Sequence, residues 1–459
     1  MHPVFVPSGT APAIPIWFVT ATTWPALRLA LEPGARAFVD AAGFEAKPGR
    51  YRLLPGKPDG LAGVVFGLEA EDAEKNPFLP GRLADQLPAG TYRFANAPHD
   101  ARLAALAFAL GSYRFARYRS AEAKQVRLEI PDGVDGADLS RIAEGVSLAR
   151  DLINTPANDL GPAELEEAAR ALAARHGASV RSIVGDDLVK ENFPLIHAVG
   201  RAADRAPRLI DFSWGDAGHP KITLVGKGVT FDTGGLDIKP EGGMRIMKKD
   251  MGGAACVLAL AHMIMDRGLK LRLRVLIPAV ENAISGGAFR PLDIYRSRKG
   301  ITVEIGNTDA EGRLILADAL ALADEERPEL IVDMATLTGA ARVALGPDLP
   351  PFYTADDALA AELARCAAGE NDPLWRMPLW RPYAAMLDSK VADLNNVSTG
   401  GFAGSITAAL FLKRFVEAAK SWLHLDVYAW TPAAKPARPE GGECQAARAL
   451  YALLAARYA

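Results

Sequence analysis

Cysteine is scarce in this chain. Cys256, Cys366 and Cys444 are the three present in 459 residues, widely spaced and without a CxxC pair. That usage argues for a reducing compartment, and Cys256, inside an apolar helical run, reads as a small core residue. Long apolar runs are missing too. No uninterrupted stretch reaches about 18 residues, the shortest worth considering as a membrane span. The N-terminus has no charged segment leading into a long apolar one, and Pro3, Pro7, Pro12 and Pro15 break any helix there. A cytoplasmic location with no membrane partner is therefore expected. The seven histidines contain no HExxH, which excludes a single-zinc protease of that type. Gly226-Lys227-Gly228 belongs to no GxxxxGKS/T phosphate loop. The net charge is −3 and basic runs such as Arg114 to Arg119 are short, so nucleic acid is not an expected partner.

What is present is an ordinary globular composition, 49% hydrophobic and 23% charged, on a chain long enough for two domains and a sizeable core. Residues 1–137 read as a smaller N-terminal α/β domain, with strands over 13–20 and 63–67 and an apolar helix over 101–113. His99 and Asp100 read there as a turn. Residues 138–160 form a linker helix and turn, and residues 161–459 a catalytic domain. In this last part, strand candidates at 208–214, 221–225, 271–279, 301–305, 330–335 and 423–427 interleave with helices. The helix candidates are 162–176, 251–266, 313–323 and 405–419. Apolar strands alternating with helices predict an α/β fold with a mostly parallel central sheet flanked by helices. Ligands in such folds gather at the C-terminal ends of the strands, and Lys227, Asp309 and Thr336 each follow a predicted strand.

The densest chemistry lies in Asn307-Thr308-Asp309-Ala310-Glu311-Gly312-Arg313-Leu314. In an extended backbone Asp309, Glu311 and Arg313 would share one face. Two adjacent carboxylates repel unless a cation sits between them, so the pair is a candidate site for divalent metal ions. Upstream, Lys227, Asp232, Lys239 and Asp250 could complete it, with Gly226 and Gly228 letting the backbone turn tightly around Lys227.

These segments, GKGVTFDTGG from Gly226, IKP from Ile238, DMGGAA from Asp250 and NTDAEGRLILADAL from Asn307, resemble the leucyl (cytosol) aminopeptidase family in order and spacing. The resemblance runs from about Leu152 to the C-terminus and includes an NTPxN-like turn at Asn154 to Asn158. It implies that Lys227, Asp232, Asp250, Asp309 and Glu311 bind two divalent metal ions per subunit, manganese or zinc, with magnesium or cobalt also suited. It implies Lys239 and Arg313 as the catalytic pair. Lys239 would polarise the scissile carbonyl and Arg313 would hold a bicarbonate ion that shuttles the proton. Met247, Thr336, Leu337 and Gly339 would bind substrate or bicarbonate.

The chemistry is consistent with this. A hydroxide bridging two ions about 3.5–4 Å apart is a strong nucleophile at neutral pH, and the ions also polarise the carbonyl. A lysine ligand must be neutral, which desolvation and metal binding together can achieve. Arg313 stays protonated and cannot be a general base. The resemblance further implies short peptide substrates and a homohexamer.

Singly, these residues have plainer readings. Asp250 could cap the following helix, Arg313 could pair with Asp309 or Glu311, and the lysines could be solvated. Asp333 reads as a structural hydrogen-bonding group, and His424 and Asp426, in an HLD segment like the family's, as packing residues. Two departures stand out. Val427-Tyr428-Ala429-Trp430-Thr431 puts two bulky aromatics where the family has small residues shaping the first substrate pocket. Pro240-Glu241-Gly242-Gly243-Met244 adds glycines beside Lys239. The function expected is a metal-dependent aminopeptidase. The alternatives are a DNA-binding regulator with accessory peptidase activity and a narrow-specificity dipeptidase.

Overall fold

The computed structural model describes residues 1–9, 12–56, 60–119 and 124–459. The chain divides into two compact units, Met1–Ser147 with Ala433–Glu440, and Leu148–Pro432 with Gly441–Ala459.

The first unit is built on a six-stranded sheet in the order Phe5–Val6, Val126–Glu129, Gly90–Phe94, Ile14–Val19, Leu61–Gly67, Tyr51–Pro55. All neighbours are parallel except the last pair. Leu61–Gly67 is buried over its last five residues, as expected of an inner parallel strand. The apolar helix Ala101–Gly111 starts where Asp100 accepts a 2.8 Å hydrogen bond from the Leu103 N–H, so the expected turn is an N-cap.

The second unit carries a nine-stranded, mixed but mostly parallel sheet. Its centre is the parallel run Ser421–Asp426, Leu330–Ala335, Lys221–Gly226, Arg272–Asn282. These strands are nearly continuous in Leu, Ile and Val because both faces are covered. Helix Glu311–Glu325 packs Leu314 to Ala323 with Val225, Leu276 and Ile331, and helix Gly252–Arg267, buried through Met265, lies on Lys221–Gly226 and Leu330–Ala335. Beyond the centre, Arg208–Trp214, Ser179–Val184 and Pro351–Tyr353 each add an antiparallel pairing.

Two expectations need correction. The strand predicted at 301–305 is only Thr302–Glu304 and lies outside the central sheet. It forms a three-stranded sheet with Ile294–Arg296 and Leu394–Asn395, being too short and too exposed for a central position. The helix predicted over 405–419 spans Gly404–Lys413. The Asp324 carboxylate accepts the Glu417, Ala418 and Ala419 N–H groups at 2.8–2.9 Å, drawing the chain out of helical geometry.

Asp318, nearly two turns earlier on the same helix, is fully buried and ties together distant loops. Its oxygens accept from the Leu195 and Arg298 N–H groups, each at 2.8 Å. Asp318→Ala leaves those donors unpaired, and should lower the unfolding free energy by about 2–3 kcal/mol, read by urea denaturation.

Candidate metal centre

The site residues come from three places where the chain leaves regular structure at the end of the central sheet. Lys227 sits between strands Lys221–Gly226 and Gly228–Asp232, and Asp232 ends the second of them. Asp250 lies in the 3-10 turn Met247–Met251. Asp309 is in the turn before helix Glu311–Glu325, which begins with Glu311 and Arg313. The extended backbone expected across Asp309, Glu311 and Arg313 is therefore absent. A turn followed by the first helical residues places the two carboxylates at one point and leaves Arg313 on a different bearing.

Gly226 and Gly228 also act differently from expectation, since neither has a positive φ. A Cβ on Gly226 would stand 2.6 Å from Ala254 Cα, and one on Gly228 2.8 Å from the Pro278 oxygen, so they permit close packing. Gly312 does the same for the site itself. A Cβ there would lie 2.6 Å from Lys227 Cε, so the Glu311-Gly312-Arg313 turn can pass over the lysine stem.

A cavity of about 610 Å³ opens at this point. Its walls include Lys227, Asp232, Lys239, Met247, Asp250, Asp309, Glu311, Arg313, Thr336, Leu337 and Gly339. The eleven residues that the resemblance assigns to metal, catalysis and substrate or bicarbonate binding thus meet in one place. Oxygens of Asp232, Asp309 and Glu311 lie within 4.8 Å of one another. Lys227 Nζ stands 2.7 Å from Asp250 Oδ2 and 2.8 Å from Glu311 Oε1, and donates to the Thr336 carbonyl at 2.9 Å. Lys239 Nζ is 2.8 Å from Asp232 Oδ2 and also pairs with Asp309. Asp250 does not cap the next helix, whose cap position is Met251. Its Oδ1 instead accepts from Thr336 Oγ1 at 2.7 Å.

The charges are strongly coupled. Burial disfavours the ammonium of Lys227, but Asp250, Glu311 and Asp232 outweigh it and hold its pKa above the ordinary range. Lys239 is raised in the same way, burial being overcome by Asp232 and Glu311. Burial and the neighbouring Asp232 push Glu311 up to about 8 and Asp309 up to about 6. Fully ionised, four carboxylates against two ammonium ions would carry an excess of two negative charges in a largely buried cluster, which is why protons are held there. Asp250 Oδ2 and Glu311 Oε1 both meet the Lys227 ammonium and Asp309 Oδ1 meets that of Lys239, so these buried oxygens have lysine cations as their partners. Carboxylates that converge in greater number than the lysines beside them are what a pair of divalent cations would neutralise, so the residues fit such ions.

Arg313 forms no ion pair among the described residues. Its Nη1 donates to the Asn396 carbonyl at 2.7 Å, its Nε is buried without a partner, and burial lowers its pKa to about 10. Sequence reasoning missed the groups that orient the carboxylates. Asn282 Nδ2 donates to Asp232 Oδ1 at 2.8 Å and to the Thr308 carbonyl at 3.2 Å. Thr308 Oγ1 donates to the Gly234 carbonyl at 2.6 Å and accepts from the Asp237 N–H at 2.8 Å, and the Asp237 carboxylate accepts the Thr308 N–H. Asn396 Oδ1 accepts from the Gly306 N–H at 2.7 Å, and its Nδ2 donates to the Asn307 carbonyl at 2.7 Å, fixing the turn before Asp309. Thr308 and Asp237 sit inside the motifs that drew attention, whereas Asn282 and Asn396 carry no local pattern.

The remaining candidates fall into place. Asp333 is buried, accepting from Trp422 Nε1 at 2.7 Å and pairing with His424, and it is absent from the cavity wall. Asp426 does more than pack. It accepts from the Leu337 N–H at 3.1 Å and Thr338 Oγ1 at 2.6 Å, bracing the turn after Thr336. The Glu241–Met244 segment folds into a short helical turn on the cavity wall. Of the two aromatics, Tyr428 faces the cavity, and Trp430 stacks near Lys248. Lys249, also missed, lines the cavity and has its pKa lowered to about 8 by burial.

Comparison with known proteins identifies what the chain is similar to. Residues 147–451 match the catalytic domain of the cytosol aminopeptidase family, and residues 14–131 match the N-terminal domain of M17 aminopeptidases. The crystal structure of cytosol aminopeptidase from Coxiella burnetii is similar over 99% of this chain and 100% of its own, with 44% identity and a TM-score of 0.95. The bottromycin maturation enzyme BotP in complex with Mn aligns over 97% of this chain and 100% of its own, at 34% identity and a TM-score of 0.86. The probable cytosol aminopeptidase of Roseiflexus castenholzii is 44% identical over 350 residues, 72% of this chain and 71% of that protein. Among the described residues no helix is long and apolar enough to cross a membrane.

Two measurements follow from the site. Asn282→Ala removes a support of Asp232 and should weaken Mn²⁺ binding about 10- to 100-fold by calorimetry, with the fold retained. The raised pKa values mean that protons occupy the cluster at neutral pH and must leave as a cation enters. Mn²⁺ affinity should therefore rise from about pH 6 to 8, about tenfold per pH unit for each proton released.

Proposed function

Because the chain belongs to the cytosol aminopeptidase family, we propose how it works as a metal-dependent aminopeptidase: it releases N-terminal residues from short peptides, using Lys239 and Arg313 as its catalytic pair. The observation that carries this reading is the buried excess of carboxylate charge on the wall of a cavity open to a small peptide. Lys227, Asp232, Asp250, Asp309 and Glu311 would hold two divalent ions, manganese or zinc. When bound, those ions supply an activated water and Lewis-acid polarisation of the amide carbonyl.

The chain's own residues do the rest. Lys239, on the cavity wall beside Asp232 and Asp309, presents a fixed cation toward which the carbonyl oxygen can develop negative charge. Arg313 keeps its guanidinium protonated, and with Nε unpartnered it has an edge free for a small anion. Bicarbonate fits that edge by charge and shape, and would supply a proton acceptor that a guanidinium cannot be. Thr336 and Leu337, braced by Asp426, and Met247 and Gly339 line the space for the first substrate residue.

A homohexamer in the cytoplasm completes the proposal. Val343, 91% exposed, and Phe402, 86% exposed, are apolar surface that self-association would cover.

The test uses metal-stripped protein with leucine p-nitroanilide and Leu-Gly, with and without added manganese or zinc. Activity should return with metal, and Glu311→Ala should lose at least about a hundredfold in kcat/KM under the same conditions. Full activity in the stripped protein, or in the Glu311→Ala variant, would contradict the reading.

A further inference from the structure

The small three-stranded sheet beside the central one brings a residue to the site that is absent from the cavity wall. Strand Leu394–Asn395 runs parallel to Thr302–Glu304 and delivers Asn396, which is fully buried. The Asn396 N–H donates to the Glu304 carbonyl at 2.9 Å. Its side-chain oxygen accepts the Gly306 and Asn307 N–H groups at 2.7 and 3.2 Å. Its Nδ2 donates to the Asn307 carbonyl at 2.7 Å and to that of Ala310 at 3.4 Å. One side chain thus holds the backbone on both sides of Asp309. Gly306 makes the approach possible, since a Cβ there would stand 2.3 Å from Asn395 Oδ1.

The same residue reaches Arg313, 83 positions earlier in the chain. Its carbonyl accepts from Arg313 Nη1 at 2.7 Å, the one hydrogen bond of that guanidinium among the described residues. With Nη1 spent on Asn396, Nε and Nη2 form the remaining edge, and such an edge offers two parallel donors that match a carboxylate-like anion. Arg313 stands on the cavity wall, so the Asn396 carbonyl decides which edge it keeps for the cavity. That carbonyl is fixed in turn by the N–H and the side chain of its own residue.

A metal ligand and a fixed cation that act on one substrate must keep their separation, and misplacing either by about 1 Å can cost about a hundredfold in rate. Helix Glu311–Glu325 alone does not set that separation, because Asp309 precedes it. We propose that Asn396 is a positioning residue for hydrolysis. Its side chain fixes the turn that carries Asp309 and its carbonyl fixes the direction of the Arg313 guanidinium, so one residue places ligand and catalytic cation relative to each other. The inference rests on the aminopeptidase reading of the site.

The experiment takes metal-stripped full-length protein as wild type, Asn396→Ala, Arg313→Met and the double variant. Manganese affinity is read by calorimetry, and kcat and KM with leucine p-nitroanilide at saturating manganese. Asn396→Ala should weaken manganese binding about 10- to 100-fold, and at saturating metal should lower kcat about tenfold or more while KM stays within about twofold. In the Arg313→Met background the same substitution should leave kcat unchanged, because the group it orients is gone. Asn396→Asp, which keeps the shape and replaces only the Nδ2 donor, should show the same pattern and serves if the alanine variant does not fold. A full tenfold loss in the Arg313→Met background would overturn the proposal. Weakened manganese binding with kcat intact would confine Asn396 to the ligand and overturn it too, as would a lower thermal midpoint with both readings unchanged. No turnover by manganese-loaded wild type would overturn the aminopeptidase reading and this inference with it.

Discussion

The catalytic unit depends on an excess of buried negative charge. Asp232, Asp250 and the adjacent Asp309 and Glu311 arrive from three places at the end of the central sheet, and Lys227 and Lys239 would neutralise the fully ionised set only in part. Close carboxylates in a medium of low dielectric repel strongly, so such a cluster persists only where the scaffold is rigid and cations are at hand. The scaffold supplies rigidity through fully buried parallel strands, through Gly312 passing over the Lys227 stem, and through Asn282 and Asn396 fixing the turns from outside. The chemistry of the site is therefore a consequence of how the sheet ends.

Much of this was legible in the sequence, for identifiable reasons. Apolar runs such as Leu330–Ala335 and Lys221–Gly226 are unambiguous because strands buried on both faces leave little polar alternation to misread. The site residues were legible because charged side chains inside apolar surroundings need a partner, and because their motifs stand in one family's order. What the sequence concealed was geometry. Asp309, Glu311 and Arg313 look alternately spaced on paper, yet a turn and a helix start place them, since Asn396, distant in sequence, holds the preceding backbone. Asn282 and Asn396 were invisible for the same reason. A lone asparagine has no local signature, and its role exists only once remote segments meet.

The departures from the family pattern form a coherent group. Tyr428 lines the cavity on a backbone that Gln445 grips, at a position where small residues were expected. Lys249 and Arg342 approach the same ring. The carboxylate cluster and the group of Lys249, Arg342 and Tyr428 both lie on the wall of one cavity. Asp426 links them, bracing the turn after Thr336 on one side and holding Arg342 on the other.

The most direct measurement is anomalous diffraction from crystals grown with manganese, recorded at the manganese edge. The account predicts two peaks within coordination distance of each other, among Lys227, Asp232, Asp250, Asp309 and Glu311, with the Lys227 amine on one of them. A single peak, or two peaks with Lys227 still paired as an ammonium to Asp250 and Glu311, would contradict the view that this buried carboxylate cluster is a two-ion centre.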